Sequence, residues 1–590
     1  MYFIDKFVFD CTMKKNLLFL FYGFFLAACS NSVDPSDGVI GTISIAQEHE
    51  ETGVNILTSP IVSDPANDPY SVENMSKAMR NRVLAKRVVD TADVEQMSLK
   101  PNYLYVRFLA DGKRGAAELK KYDTSLVLFK HPLDYKHIRK PVVYIDPTLP
   151  DSIIPLFATV PVDYKFGPTK YEVIKELFLV EPLDGDCEED ECVEEADSAA
   201  TERALLKKAA RKSSGTTLEK LADMGISLHE VQWESMSMTG YIGERFKSRE
   251  HEIGALPAAA WSLFGGGKKH GGQLKFKDDI LGVQPLEGVR VTGGYSYYWR
   301  EAHTDAEGKF KIPEKWNFDI DYEANFDADD FLLEDGHSGY GEDLEVEKNN
   351  MSGDWKQTFY GDTAKWCIVW TAAYQYWYGD NFGLKRPRQN TAYNWSLDIE
   401  VYYKNEEDYY AENSKESIGV YNDTLGLEDI GILAYGKTSY TIYSTVIHEV
   451  AHSSHYWNMK TTNPVIPQAG EFSLLSKTYK DTYARGMENF FTERRYGMDY
   501  VRRDYTSQYT GLVEDLIDDG ENTKCNVVSK KLIKDKVSGF SMISIEEAFF
   551  QNKTFSGLKN YLMENNPSEK KGVKYTKTDI NNLFKCWGLE

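Results

Sequence analysis

Tyr443-Ser-Thr-Val-Ile-His448-Glu449-Val-Ala-His452 is the stretch around which the rest of the chain is arranged. It reads His-Glu-x-x-His inside a run with helical periodicity. Residues four apart on a helix lie one turn above each other, so His448 and His452 leave the same face. Two imidazoles at that spacing can hold one tetrahedral zinc ion, and Zn2+ is the cofactor expected here. Glu449 lies about 100° round the helix, placed to take a proton from a metal-bound water without binding the metal. On the same wheel Tyr443, Val446, Ile447, Val450 and Trp457 form an apolar arc, opposite His448, His452, Thr441 and Thr445. The helix is therefore expected to pack by one side and to present its histidines into a cleft with the other.

A catalytic zinc site wants a third protein ligand and an open position for water. His455 is seven residues from His448, roughly 10 Å along the axis, too far for one ion to reach all three. It reads instead as a wall of the substrate cleft. The segment 479–496 offers Glu488 and Glu493. Ala484, Met487, Glu488 and Phe491 share a face, so Glu488 sits in an apolar stripe, where a carboxylate needs a cation or a hydrogen-bond partner. A zinc ion would provide one; pairing with Arg485 or Arg495 is the ordinary alternative.

With Glu488 as the third ligand, the chain resembles the gluzincin branch of zincin metallopeptidases, with His-Glu-x-x-His on one helix and a glutamate ligand on a later one. The resemblance covers about residues 360–500, and its second motif departs from the Asn-Glu-x-x-Ser-Asp form of thermolysin-like members. It implies the ligands His448, His452 and Glu488, Glu449 as general base, and a protein or peptide substrate. An oxyanion donor is also needed, with Tyr483, Tyr496, Tyr500 and His455 as candidates. Just before the helix, Ile430-Gly431-Ile432-Leu433-Ala434-Tyr435 reads as an edge strand beside the metal. Such an edge can bind an extended peptide by main-chain pairing.

At the other end of the chain, Met13-Lys-Lys-Asn precedes Leu17–Phe25, an apolar run too short to span a bilayer. It closes in Leu26-Ala-Ala-Cys29 and then turns polar. This resembles a bacterial lipoprotein signal, in which the peptide is cut before the cysteine and the thiol receives lipid. The resemblance implies an extracytoplasmic protein, anchored through Cys29 to the outer membrane or cell surface, in an oxidising space. Cys187 and Cys192 could close a small loop. Cys525 and Cys586 could pair, which would leave Cys367 as a buried thiol; sequence alone does not fix the connectivity. A net charge of −23 and a pI near 5.1 argue against nucleic acid as a partner, since phosphate binding needs a basic surface.

The expected fold class is multidomain α+β. Residues 1–28 read as signal peptide and 29–97 as a lipid-anchored tether, its second part an amphipathic helix around Lys77–Arg87. Residues 98–264 read as a small α/β domain with strands near Tyr103–Leu109, Ser125–Phe129, Ile153–Val162 and Tyr171–Val180. Its acidic loop, Asp184–Asp197, lacks the ordered Asp-x-Asp-x-Asp-Gly spacing of a calcium loop. Gly265–Gly272 reads as a linker. Residues 273–340 alternate like short strands, and Ala302-His-Thr-Asp-Ala-Glu-Gly-Lys-Phe310 resembles the turn of carboxypeptidase-regulatory-like or transthyretin-like β-sandwiches. That implies an accessory sandwich. Residues 350–590 are expected to form a mostly helical zincin-like domain with a small sheet. The leading functional reading is a membrane-anchored zinc metallopeptidase. Its rivals are a non-catalytic surface lipoprotein binding glycan or protein, and a zinc hydrolase of a non-peptide substrate.

Overall fold

The structure is a computed structural model. It describes residues 55–86, 91–136, 138, 142–150, 152–180, 215–241, 268–316, 319–337, 343–387, 397–412, 419–422, 429–461, 468–502, 504–517, 536–565 and 575–589. The chain divides into two units, Met1–Ile45 and Ala46–Glu590, and all described residues belong to the second. Cys29, the acidic loop 184–197, Cys187, Cys192 and Cys525 lie outside the described residues. Among the described residues no helix is long and apolar enough to cross a membrane.

The fold is multidomain α+β. A short parallel pair, β1 (Asn55–Leu57) and β3 (Val142–Tyr144), flanks the first part. There β2 (Tyr103–Asp111) pairs antiparallel with β4 (Ile153–Pro161) on one side and β5 (Lys170–Leu177) on the other. The helices of this part include α1 (Val72–Lys86), α2 (Gly112–Tyr122) and α3 (Leu228–Met238). Ser125–Phe129 is not a strand; only an isolated bridge joins Phe129 to Phe157.

Two four-stranded sheets follow. One contains β6 (Lys268–Asp278), β7 (Gly282–Pro285), β10 (Lys309–Trp316) and β14 (Trp355–Phe359). The other contains β8 (Arg290–Tyr295), β9 (Tyr298–His303), β11 (Ile320–Asn325) and β13 (Glu345–Met351). They face each other through rings such as Tyr322 against Phe310 and Trp355, at 5.7 and 5.8 Å. This set of strands runs from 268 to 359 rather than 273 to 340. The glycines read as a linker are the reason. A Cβ on Gly272 would lie 1.9 Å from the Trp355 carbonyl oxygen, so its missing side chain is what lets β14 lie beside β6.

The third sheet carries the helices that matter for function. Its order is β12 (Phe331–Asp335), β15 (Leu397–Tyr402), β17 (Asp429–Leu433) and β16 (Gly419–Asn422), with only the β16–β17 pair antiparallel. As an interior parallel strand β15 is buried nearly throughout. Helix α4 (Gly361–Trp377) sets Trp370 and Trp377 on Phe331, at 4.9 and 5.1 Å. Helix α5 (Ser439–Asn458) carries the His-Glu-x-x-His stretch and packs antiparallel to α6 (Lys477–Tyr496). Behind them lie α7 (Leu512–Ile517) and α8 (Met542–Gln551). Cys586 is disulfide-bonded, and Cys367 is a free, buried thiol.

The turn after β6 fixes both site helices. The Asp279 carboxylate accepts the Ser439 backbone N–H at 3.1 Å, and the Asp279 N–H donates to Ser439 Oγ at 3.0 Å. This caps the first turn of α5, where four backbone donors lack helical partners and an anion is favoured by the dipole. Next to it, buried Asp278 accepts the Tyr496 hydroxyl at 2.8 Å, at the end of α6. Replacing Asp279 with Ala is expected to lower stability by about 1 kcal/mol. Chemical denaturation of the variant against wild type checks this.

Candidate metal centre

The antiparallel register of α5 and α6 brings two histidines against two carboxylates. His448 and His452 are each 8 % exposed, so their arc faces α6 rather than an open cleft. His448 Nδ1 lies 2.9 Å from Glu488 Oε2. The carboxylate can only accept, so Nδ1 carries the proton and Nε2 is left with its lone pair. That Nε2 lies 3.2 Å from His452 Nε2, which in turn is 3.4 Å from Asp481 Oδ1. One ligand atom each from His448, His452 and Asp481 lies within 4.8 Å of the others.

Those spacings suit a tetrahedral ion. Bonds of about 2.0–2.1 Å to zinc put neighbouring ligand atoms about 3.3 Å apart. Two imidazoles and one carboxylate also match the donor chemistry of zinc. This group could hold a metal, and its third member is Asp481.

Glu488, expected as the third ligand, sits elsewhere. It occupies the outward nitrogen of His448 and is also held by Arg485 at 3.2 Å and Arg502 at 3.6 Å. Burial pushes its pKa up, but the His448 hydrogen bond and the two guanidinium groups outweigh that and hold the carboxyl below its ordinary value. Asp481 behaves alike: burial opposes the charge, while the His452 hydrogen bond and the Gln508 amide hold the carboxyl below its ordinary value. Each imidazole thus meets a carboxylate, one at the ligand position and one behind it. A carboxylate behind a ligating histidine fixes ring orientation and raises basicity.

Glu449 is buried beside this group on α5. Its charge is felt at the Tyr509 hydroxyl, whose pKa burial raises to about 12 with help from Asp481 and Glu449. The Tyr509 ring lies 5.9 Å from that of His448, and the Arg485 guanidinium sits 4.8 Å over it. Tyr509 belongs to the loop before α7, and the same loop supplies Gln508. Asp481, Gln508 and Tyr509 were all missed by sequence reasoning. For Asp481 a signal existed: it precedes Glu488 by seven residues, two helical turns on one face.

Other expected site residues fall away from the metal group. The Tyr483 hydroxyl donates to Glu546 at 3.1 Å and the Tyr496 hydroxyl to Asp278. Tyr500 packs on Tyr440 near the start of α5. Ile430–Leu433 belong to β17, whose two sides are taken by β15 and β16, so its edge is not free for a peptide; Ala434 and Tyr435 follow it, bonded back to the Tyr402 carbonyl. The sheet's edge strand on this side is β16.

His455 is not a cleft wall. It is fully buried among Phe472, Tyr479, Tyr483, Phe549 and Phe550, and among the described residues neither ring nitrogen has a hydrogen-bond partner. Burial lowers its pKa to about 3, with the His452 and Lys480 charges acting the same way.

Comparison of the chain with protein-family models, curated proteins and solved structures returns no match.

Two predictions follow from the geometry. Asp481→Asn should reduce zinc affinity more than Glu488→Gln, for which about 10- to 100-fold is expected from loss of a supporting carboxylate. Competition with a chromophoric chelator checks the order, and the reverse order would return Glu488 to the ligand position. His455 is neutral in the fold down to about pH 3 but protonates near pH 6.5 when unfolded. The unfolded state therefore binds the extra proton, and stability falls as pH drops from about 6.5 towards 3. His455→Phe should flatten that loss, measured by urea denaturation of metal-free protein between pH 7.5 and 4.5.

Proposed function

We propose that the chain is a zinc-dependent metallopeptidase, an endopeptidase anchored outside the cytoplasm through a lipid on Cys29. The reading is carried by the convergence of His448, His452 and Asp481 on one point, with Glu449 adjacent on the same helix. The disulfide at Cys586 supports an oxidising, extracytoplasmic location. The ion would be held by His448 Nε2, His452 Nε2 and an Asp481 carboxylate oxygen. When bound, zinc supplies Lewis acidity and brings the pKa of a coordinated water towards neutrality.

The remaining roles belong to the chain itself. The Glu449 carboxylate accepts the proton of the attacking water and returns it to the leaving amine. The Tyr509 hydroxyl, protonated at neutral pH, donates to the carbonyl oxygen as it gains negative charge. Glu488 holds the Nδ1–H of His448, and Gln508 holds Asp481, so the ligand side chains need not reorganise on binding. Strand β16, antiparallel to β17, offers its outer edge to an extended peptide backbone.

Glu449→Gln should lower the rate of peptide hydrolysis by about 10²- to 10⁴-fold while the zinc content of the purified protein stays at one per chain. Cleavage of an unfolded protein substrate, followed beside metal analysis, provides the check. Wild-type rates in the variant would remove Glu449 from the mechanism. A wild-type protein that carries no metal and melts unchanged in chelator would favour the non-catalytic surface binder instead.

A further inference from the structure

A second site lies on the far side of α5. Trp457 is nine positions after His448, half a turn round the helix, so it points away from the metal ligands. With Asn458 and Met459 it faces the loop Leu384-Lys385-Arg386-Pro387 across a cavity of about 570 Å³.

The loop is built in an unusual sense. Its three successive carbonyl oxygens are all taken by side chains from behind: Asn381 Nδ2 donates to the Leu384 oxygen at 3.0 Å, Ser454 Oγ to Lys385 at 2.6 Å, and Asn458 Nδ2 to Arg386 at 2.8 Å. The Lys385 N–H donates to buried Glu546, which clamps the backbone further. These three loop acceptors are therefore satisfied from behind. The Lys385 and Arg386 side chains are exposed and make no ion pair among the described residues; the Lys385 ammonium rests 5.4 Å over the Phe550 ring. The Trp457 indole N–H likewise makes no hydrogen bond among the described residues. Two exposed cations without an ion-pair partner among the described residues, Lys385 with its charge felt at Glu546, stand out in a chain of net charge −23.

We propose that this cavity binds an organic anion, a carboxylate or phosphate carried on a ring, with the anionic group between Lys385 and Arg386 and the ring on Trp457. An anion held by both the Arg386 guanidinium and the Lys385 ammonium, once the latter swings from the Phe550 ring, gains charge-assisted hydrogen bonds, and the indole offers a flat apolar wall with one further donor. The backbone anchoring means that little ordering is needed when the ligand arrives. This site is independent of the metal centre and stands whether or not the chain is a peptidase.

The test is calorimetric titration of the mature chain with phenyl phosphate, benzoate and inorganic phosphate. Phenyl phosphate or benzoate is expected to bind once per chain, and the tighter of the two identifies the anionic group. Lys385→Gln/Arg386→Gln should weaken binding by about tenfold or more. Trp457→Leu should bring the ring-bearing probe down to the affinity of inorganic phosphate. The melting temperature and zinc content of both variants report that the fold is kept. Absence of saturable binding to all three probes, or unchanged affinity in the double variant, would overturn the proposal.

Discussion

Two carboxylates buried on one helix, Asp481 and Glu488, require positive or proton-donating partners, and the packing of α5 against α6 provides them. Removing one member of such a buried set leaves the other uncompensated, at a cost of about 3–5 kcal/mol. The register of the two helices is therefore held by charge as well as by apolar contact. His448 meets Glu488 through Nδ1, and His452 meets Asp481 through Nε2. A slide of one turn would break both of these pairings. The metal group is thus a consequence of how the helices pack.

The rest of the fold keeps that register. The sandwich turn Asp278-Asp279 holds the start of α5 with one residue and the end of α6 with the other. Because the helices are antiparallel, these two ends lie side by side, and one turn can tie both. On the opposite side, Gly486 lets α7 come close; a Cβ there would lie 2.4 Å from Val513. That close approach sets where the loop before α7 begins, and so where Gln508 and Tyr509 reach the metal group. A sandwich distant in sequence from the His448–Asp481 group is therefore part of what positions it.

The first half of the site was legible because it is local. Four residues on one helix fix the relation of His448 to His452, and Glu449 follows from the same geometry. The third ligand depends on axial register between two helices, which a helical wheel does not contain. Asp481 and Glu488 share a face, and the wheel favoured Glu488 for its apolar neighbours; the apolar setting is real, but Arg485, Arg502 and His448 compensate it. The same limit applies to strands. Ile430–Leu433 look alike whether they form an edge or an interior strand, and only pairing with β16 decides. Gly271 and Gly272 carry the composition of a linker, yet they serve the close approach of three strands.

His455 makes the point about position most sharply. By angle it shares the face of His448, since seven residues return almost to the starting direction. By height it has moved two turns, away from Glu488 and onto the face of α6 that carries Tyr479 and Tyr483, closed by the Phe549-Phe550 pair. Three histidines on one helix therefore meet three environments: a carboxylate behind the ring, a carboxylate beside it, and an aromatic box with no acceptor. The first two leave a ring nitrogen that a metal could take, while burial in the third pushes the imidazole pKa down to about 3. Identity and spacing nominate the ligands, but the residues opposite at each height decide which imidazoles can serve.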